Sequence, residues 1–341
     1  MKIWITGIAG FLGSHLAESL MAKGHQVVGN DNFSGGDRQN IPAGATWYER
    51  DCCSFHAMAN AMKMWEPDVV YHCAALAHEG LSSFSPALIA DNVGQASISV
   101  FSAAIAAGVK RIVFCSSMAR YGWGIPGTQM KPPFAEHYPT APVDPYGIAK
   151  VQAEETLKVL ARTHRVEYRI AVPHNIIGTR QCYTDPFRNV ASIFLNRLKQ
   201  GKPGIIYGDG EQQRCFSPVK DIIPCLEKLG LDDDLGICGV WNLGPDSGTI
   251  TVNQLYELCQ EVSGVRMPPI RKDGRPNEVK DAWCTADKAR ADLGFTETTS
   301  IKECLSEMWA AIPDGGRPFV YDNRIIEIED GCPETWKERL M

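Results

Sequence analysis

A short apolar run, Lys2-Ile3-Trp4-Ile5-Thr6, passes directly into Gly7-Ile8-Ala9-Gly10-Phe11-Leu12-Gly13, and a helix-forming stretch follows from Ser14 to about Lys23, ending at Gly24. No other part of the chain constrains the fold as strongly. A buried strand, a turn with glycine at every third position and a helix, in that order, are the first half of a βαβ unit. Gly7 permits the tight turn, Gly10 lets backbone approach a pyrophosphate, and Gly13 allows close packing of helix on strand. The N–H groups and positive dipole end of the helix then face that anion. Phe11 and Leu12 lie in the same turn and join the three glycines as candidate cofactor contacts.

The alternation continues. Gln26–Asn30 reads as a second strand with Asp31 at its end, where a carboxylate accepts hydrogen bonds from both adenosine ribose hydroxyls and repels a 2′-phosphate. No arginine follows immediately, so NAD is expected over NADP. Asn32, Ser34 and Gly35 lie in the next polar turn. A third strand near Thr46–Glu49 leads to Asp51 and Cys52; Asp51 reads either as an adenine neighbour or as a capping aspartate. Val69 to Ala75 reads as a fourth strand whose small Ala74 and Ala75 suit a backbone passing close under a cofactor. A helix over 92–107, beginning at Asn92, and a strand over Arg111–Cys115 extend the pattern. The expected fold is α/β, a Rossmann-like doubly wound parallel sheet, joined to a smaller C-terminal α/β substrate-binding domain.

Further along, Tyr146-Gly147-Ile148-Ala149-Lys150 places a phenol and an ammonium group one helical turn apart on one face. Asp144 suits the N-cap and Pro145 the first helical position. A phenol with its ordinary pKa near 10 is a poor base at neutral pH. A neighbouring cation favours the phenolate and equips it for proton transfer with an alcohol or sugar hydroxyl.

With 341 residues, 44% of them hydrophobic, the chain can bury one large core or two intimate ones. Its formal net charge of −6 argues against a nucleic-acid partner. No apolar run reads as membrane-spanning and no secretory leader is recognised, so a cytoplasmic protein is expected. The 12 cysteines include no Cys-x-x-Cys pair, which argues against structural zinc and a disulfide framework and for reduced thiols.

Taken in order, Thr6–Gly13, Asp31, Ser116-Ser117 and Tyr146/Lys150 resemble the extended short-chain dehydrogenase/reductases, whose glycine spacing is the one seen here. Within that group the chain resembles the NAD-dependent epimerase/dehydratase family, in particular the nucleotide-sugar epimerases, over about residues 1–311. The resemblance implies a catalytic triad of Ser117, Tyr146 and Lys150. Ser117 relays a proton to Tyr146, Lys150 also touches the nicotinamide ribose, and Ser116 is the neighbour that sequence alone confuses with Ser117. Pro173-His174-Asn175-Ile176-Ile177-Gly178 resembles the segment between nicotinamide and substrate diphosphate, with Pro173 on the cofactor and Asn175 on the substrate. Asn189-Val190 resembles the turn opening a helix onto the diphosphate. The stretch from Tyr207 through Gly208-Asp209-Gly210 to Arg214 and Phe216, and later Arg275-Pro276-Asn277-Glu278, resemble two further substrate elements. They place Tyr207 on the substrate, Arg214 and Arg275 on its diphosphate and Glu278 on the nucleotide ribose. Guanidinium groups suit that role because their planar fork matches phosphate oxygens. The division expected is 1–172 for NAD, 173–312 mainly for the nucleotide sugar with segments returning to the sheet, and a C-terminal extension, 313–341, that packs on a partner subunit or covers its own core.

The two residues after the triad serine narrow the reaction. Met118 and Ala119 stand where related dehydratases carry an Asp-Glu pair and decarboxylases a glutamate, and neither moves protons. The simplest outcome is 4-epimerisation of a nucleoside-diphosphate sugar, with UDP favoured, through a 4-keto sugar that turns over and regains its hydride. The alternatives are a nucleotide-4-keto-sugar reductase, an epimerase acting at C3, C5 or several centres with Cys182 as proton donor, and a silent NAD-binding protein. Arg120 stands where an apolar residue is usual. Ala282, or Trp283 if the alignment slips by one, falls where a bulky tyrosine restricts the sugar pocket of glucose/galactose enzymes. The loop His78-Glu79-Gly80-Leu81-Ser82-Ser83 lacks the arginine of uronate epimerases; it reads as a solvated loop, with an extra His78/Glu79 acid/base pair as the alternative. No metal site is expected. A homodimer formed through the Tyr/Lys helix and the helix before it is expected from the resemblance.

Overall fold

Runs of Ile, Val, Tyr and Phe bounded by glycine and polar turns become the strands of a seven-stranded sheet, in a computed structural model that describes residues 1–125, 127–128, 130–321 and 326–341. The strands are β1 (Lys2–Thr6), β2 (Gln26–Asp31), β3 (Thr46–Glu49), β4 (Val69–His72), β5 (Arg111–Cys115), β6 (Glu167–Pro173) and β7 (Cys238–Leu243). They lie in the order β3-β2-β1-β4-β5-β6-β7, and every pair is parallel. The order reverses between β1 and β4, and ligands of such sheets bind at the carboxyl ends of the strands beside that point.

Helices cover both faces. Ile3, Ile5, Val69 and Tyr71 pack with Leu16 and Leu20 of α1 (Phe11–Ala22) and Ile222 and Leu226 of a helix from the second half, Val219–Leu231. On the other face Trp4, Val70 and Phe114 meet Met58 and Met62 of α2 (Phe55–Trp65), Phe101 of α3 (Ala96–Ala106) and Leu157 of α4 (Pro145–His164). The helical stretch Pro86–Ala106 runs longer than the sequence indicates, through a π-helical turn at Ala90–Gln95. At 21 residues and a mean hydropathy of 1.2 it is long and apolar enough to cross a membrane, but its buried face packs in this core. β4, in turn, ends at His72, so Ala74 and Ala75 lie beyond the strand.

Two glycines set how closely the first unit packs. Gly7 sits at φ +71°, and a Cβ there would lie 2.9 Å from the Ala74 Cα. A Cβ on Gly13 would lie 2.1 Å from the Gly7 carbonyl oxygen. The turn, α1 and the segment after β4 therefore share one small volume. α1 begins at Phe11, three residues earlier than the sequence indicates, with Gly10 as an N-cap that makes no side-chain bond.

In the second half, α5 (Val190–Lys199), α6 (Val219–Leu231), α7 (Val252–Ser263) and α8 (Ile301–Ala311) accompany short strands. Phe194, Leu198, Leu255, Tyr256, Leu305 and Met308 form a core separate from those of the sheet. Gln213–Arg214 pairs with Ile250–Thr251 on one side and Asp281–Ala282 on the other, while α6 and β7 return to the large sheet. The described part of 313–341 packs on its own chain. The Glu327 carboxylate accepts from the Ala87 and Leu88 amides (2.9 and 2.8 Å), and Trp336, 3% exposed, packs edge-on against Phe84, Phe187 and Tyr207. Residues 322–325 of this extension lie outside the described residues.

Because the Gly13 contact is with backbone, Gly13→Ala is expected to destabilise the protein by about 2–3 kcal/mol and to lower the NAD that co-purifies with it. A denaturant midpoint and the NAD content of the released small-molecule fraction check this; a wild-type midpoint would contradict the packing argument.

Candidate active site

The triad and every cofactor and substrate residue that the resemblance implies line one cleft of about 480 Å³ at the carboxyl ends of the sheet strands. At one end Asp31 is fixed by two backbone amides, accepting from Ala9 N (3.0 Å) and Phe33 N (2.8 Å). Burial pushes its carboxyl upward, and these amides oppose that shift. For Asp51, burial acts against the charge. Hydrogen bonds from Cys53 N (2.7 Å) and Asn32 Nδ2 (2.8 Å) outweigh it and hold the carboxyl below its usual range. Asp51 is thus a loop cap and a cleft residue at once. Ser34 N is turned onto Asn32 Oδ1 (3.0 Å) beside Gly35, and Cys52 is buried against Asn30 Nδ2 (3.4 Å). Ala74 is drawn under the glycine turn by its amide bond to Thr6 Oγ1 (3.1 Å); Ala75, Asn92 and Pro173 continue the wall.

These features fit NAD. The uncapped α1 N-terminus, the turn that additional Cβ atoms would fill, and a fixed carboxylate at the end of β2 suit pyrophosphate and ribose respectively.

At the centre, Asp144 Oδ1 accepts from Gly147 N (2.9 Å) and starts α4, which presents Tyr146 and Lys150 to the cleft. The Lys150 ammonium donates to the Cys115 carbonyl (2.7 Å) and lies 5.8 Å from the centre of the Tyr146 ring. The two serines separate clearly. Ser116 donates to Glu154, which also pairs with Arg120 (3.0 Å), so this hydroxyl is committed to a buried network although Ser116 lines the cleft. Ser117 is the one beside the Tyr146 phenol, and its hydroxyl accepts from Ala119 N (3.2 Å). Arg120, unexpected by its position, is a buried partner for Glu154.

One electrostatic expectation is corrected. Burial raises the Tyr146 phenol above its ordinary range, and the Ser117 hydrogen bond and the Arg188 charge only partly counter it. Ionising even an ordinary phenol at pH 7 costs about 4 kcal/mol. Lys150 therefore does not by itself produce a phenolate here; burial depresses its own pKa to about 8.

At the far end, Asn175 Nδ2 donates to the Cys215 carbonyl (3.0 Å). Asn189 caps α5, accepting from Ala191 N (2.9 Å), with Val190 following it on the cleft wall. Arg214 is held by the carbonyls of Gln213, Lys280 and Val279 (2.8, 2.9 and 2.5 Å). Arg275 pairs with Glu278 (2.7 Å) and lies over the rings of Tyr207 (5.1 Å) and Trp336 (5.9 Å), while the Tyr207 hydroxyl meets Thr335 Oγ1 (2.5 Å). Ala282 lines the cleft and Trp283 does not, and Cys182 lies off the cleft wall, 3.5 Å from Thr184 Oγ1. Among the described residues no cluster of metal-ligating groups occurs.

The expected solvated loop is not one. His78 is fully buried with Nε2 2.8 Å from Asp185 Oδ2, whereas Glu79 is exposed within the cleft, so the two do not form an acid/base pair. Sequence reading also missed Arg188 and Trp336 in the cleft wall. Nothing in the spacing of Arg188 marked it, and Trp336 comes from a segment without a motif.

This geometry defines a redox-cofactor enzyme with a Ser–Tyr–Lys centre and a separate anion-binding end. The chain belongs to the NAD dependent epimerase/dehydratase family, whose model matches residues 3–244. It is 30% identical over 314 residues to the UDP-glucose 4-epimerase of Mycolicibacterium smegmatis, across 90% of this chain and 97% of that one. A crystal structure of UDP-glucose 4-epimerase from Thermotoga maritima with UDP-glucose is similar at a TM-score of 0.83 and 30% identity, covering 91% of this chain and 98% of that one. A UDP-N-acetylglucosamine 4-epimerase from Methanobrevibacter ruminantium, in complex with UDP-N-acetylmuramic acid, is similar at a TM-score of 0.81 and 27% identity, covering 91% and 97%.

The Lys150 shift carries a sign. Its pKa is near 8 in the folded chain against an ordinary value of 10.5, so between those values the unfolded chain holds the extra proton and stability gains with rising pH. Wild type is expected to gain stability relative to Lys150→Met between pH 8 and pH 10, with no such drift below pH 7. Urea titrations of both proteins across this range check it, and a constant difference would refute the burial of a strained ammonium.

Proposed function

We propose that this protein is an NAD-dependent nucleoside-diphosphate-sugar 4-epimerase acting on UDP-sugars. The observation that supports this reading is the meeting of Ser117, Tyr146 and Lys150 in one cleft beside Met118 and Ala119, which supply no further acid or base. Once the loaded site has stabilised it as the phenolate, Tyr146, through Ser117, takes the proton of the sugar 4-hydroxyl to become the phenol, and later returns it. Bound NAD supplies the hydride acceptor, and then the donor, for C4. Gly7, Gly10, Gly13 and Asp31 would hold it, and Lys150 would reach its nicotinamide ribose. Arg214 and Arg275 hold the diphosphate while the sugar turns its other face, and Ala282 leaves room for a 2-acetamido group. Cys182, off the cleft, is not placed to protonate a second centre.

The assembly proposed is a homodimer through α4 and the helix before it. Ile148 (55% exposed) and Val159 (52%) support it, lying three turns apart on the outer face of α4. Light scattering that gives a monomer mass would rule it out.

For the chemistry, Tyr146→Phe is expected to lower turnover by about 10³-fold while NAD remains bound. Inversion at C4 is followed by NMR with UDP-, GDP-, CDP- and dTDP-sugars. Undiminished turnover in this variant would overturn the mechanism.

A further inference from the structure

Glu79 is an acidic group of the cleft whose placement the epimerisation chemistry does not use. Its backbone is rigidly tied to the catalytic helix. Ser82 Oγ donates to the Glu79 carbonyl (2.7 Å) and approaches Asp144 Oδ1 (3.3 Å), and Asp144 in turn caps the helix two residues before Tyr146. The next residue, Gly80, lies against the substrate end. A Cβ on it would stand 3.3 Å from the Arg275 guanidinium and 3.2 Å from the Trp336 ring. Glu79 therefore stands between the proton-transfer group and the arginines expected on the diphosphate, the span a sugar ring must occupy. Glu79 lines the cleft, and among the described residues no hydrogen bond or ion pair engages its carboxyl, which burial and the neighbouring Asp144 push upward and Arg214 and Arg275 pull back. Asp144, Arg214, Arg275, Glu278 and Tyr146 are all within electrostatic range of it.

We propose that Glu79 is a sugar-recognition residue that restricts the substrate to sugars without a negative charge on the ring. A carboxylate there accepts hydrogen bonds from ring hydroxyls or an acetamido N–H, and it repels a C6 carboxylate in a partly water-excluded cleft, where like charges interact more strongly than in bulk water. Selectivity then comes from a repulsive element as well as from attractive ones. Part of the negative charge is countered by Arg214 and Arg275, which are themselves taken up by a substrate diphosphate, so the sugar meets the carboxylate with its screening reduced.

The inference rests on the nucleotide-sugar reading of the cleft. It is tested by calorimetric binding of UDP, UDP-glucose, UDP-N-acetylglucosamine and UDP-glucuronic acid to the NAD-loaded protein and to Glu79→Gln. Wild type is expected to bind both neutral sugars at least about tenfold more tightly than UDP-glucuronic acid. Glu79→Gln is expected to narrow that gap at least about fivefold by binding the uronate better, with UDP affinity unchanged. Equal wild-type affinities, or a gap untouched by the substitution, would overturn the role of Glu79 while leaving the nucleotide-sugar reading intact. No binding of UDP at all would overturn both. Discrimination in binding without inversion at C4 would support Glu79 and count against the epimerase reaction alone.

Discussion

Three backbone segments meet at the end of β1, and the site depends on their doing so without side chains between them. The Gly7 carbonyl is packed where a Gly13 side chain would begin, and Ala74 lies against Gly7 from the other side. This contact brings the α1 N-terminus to the cleft, lays the chain after β4 beneath it, and leaves room for a pyrophosphate at the reversal of strand order. Atoms already in contact cannot yield to an added methyl group without moving a strand or a helix. The glycines are therefore a geometric requirement before they are a ligand motif.

A second set of contacts joins α4 to the sheet and makes the catalytic centre rigid. The Lys150 ammonium reaches the carbonyl at the end of β5, and one turn further on Glu154 takes both the Ser116 hydroxyl and the Arg120 guanidinium. Breaking a buried charge pair by removing one partner costs about 3–5 kcal/mol. Arg120 and Glu154 are thus bound to each other's presence, and their pairing explains an arginine where an apolar residue was expected. By engaging Ser116 it also leaves Ser117 as the hydroxyl at the phenol.

The first half was legible in the sequence because each of its requirements is local. A glycine at Gly7, an acid at the end of β2, and an Asp-Pro start to the Tyr146 helix each report on a few neighbouring bonds. Boundaries were less legible where tertiary contacts decide them, as in the extension of α1 back to Phe11 and the early end of β4. The corrections share one cause, since burial is set by residues distant in the chain. His78 is inside because Asp185 lies opposite, and the Tyr146 phenol is raised because the whole cleft desolvates it. Arg188 and Trp336 reach the cleft from a loop and an extension with no regular spacing, so no periodicity announces them.

The distribution of charge along the cleft bears on why oxidation and reduction would both occur within one turnover. Arg188, from the substrate side, places a guanidinium nitrogen 3.5 Å from where a Gly35 side chain would begin, so it spans the channel at the turn beside Asp31. A guanidinium from the second half of the chain thus faces the polar turn after β2 across the cleft. A reaction that consumed a reduced cofactor would need this span to open in every cycle. One that returns its hydride has no such need. Burial in the cleft lowers the local dielectric around Tyr146. The energy that burial withholds from the phenolate must therefore come from groups present only in the loaded site, which couples proton removal to the presence of both ligands.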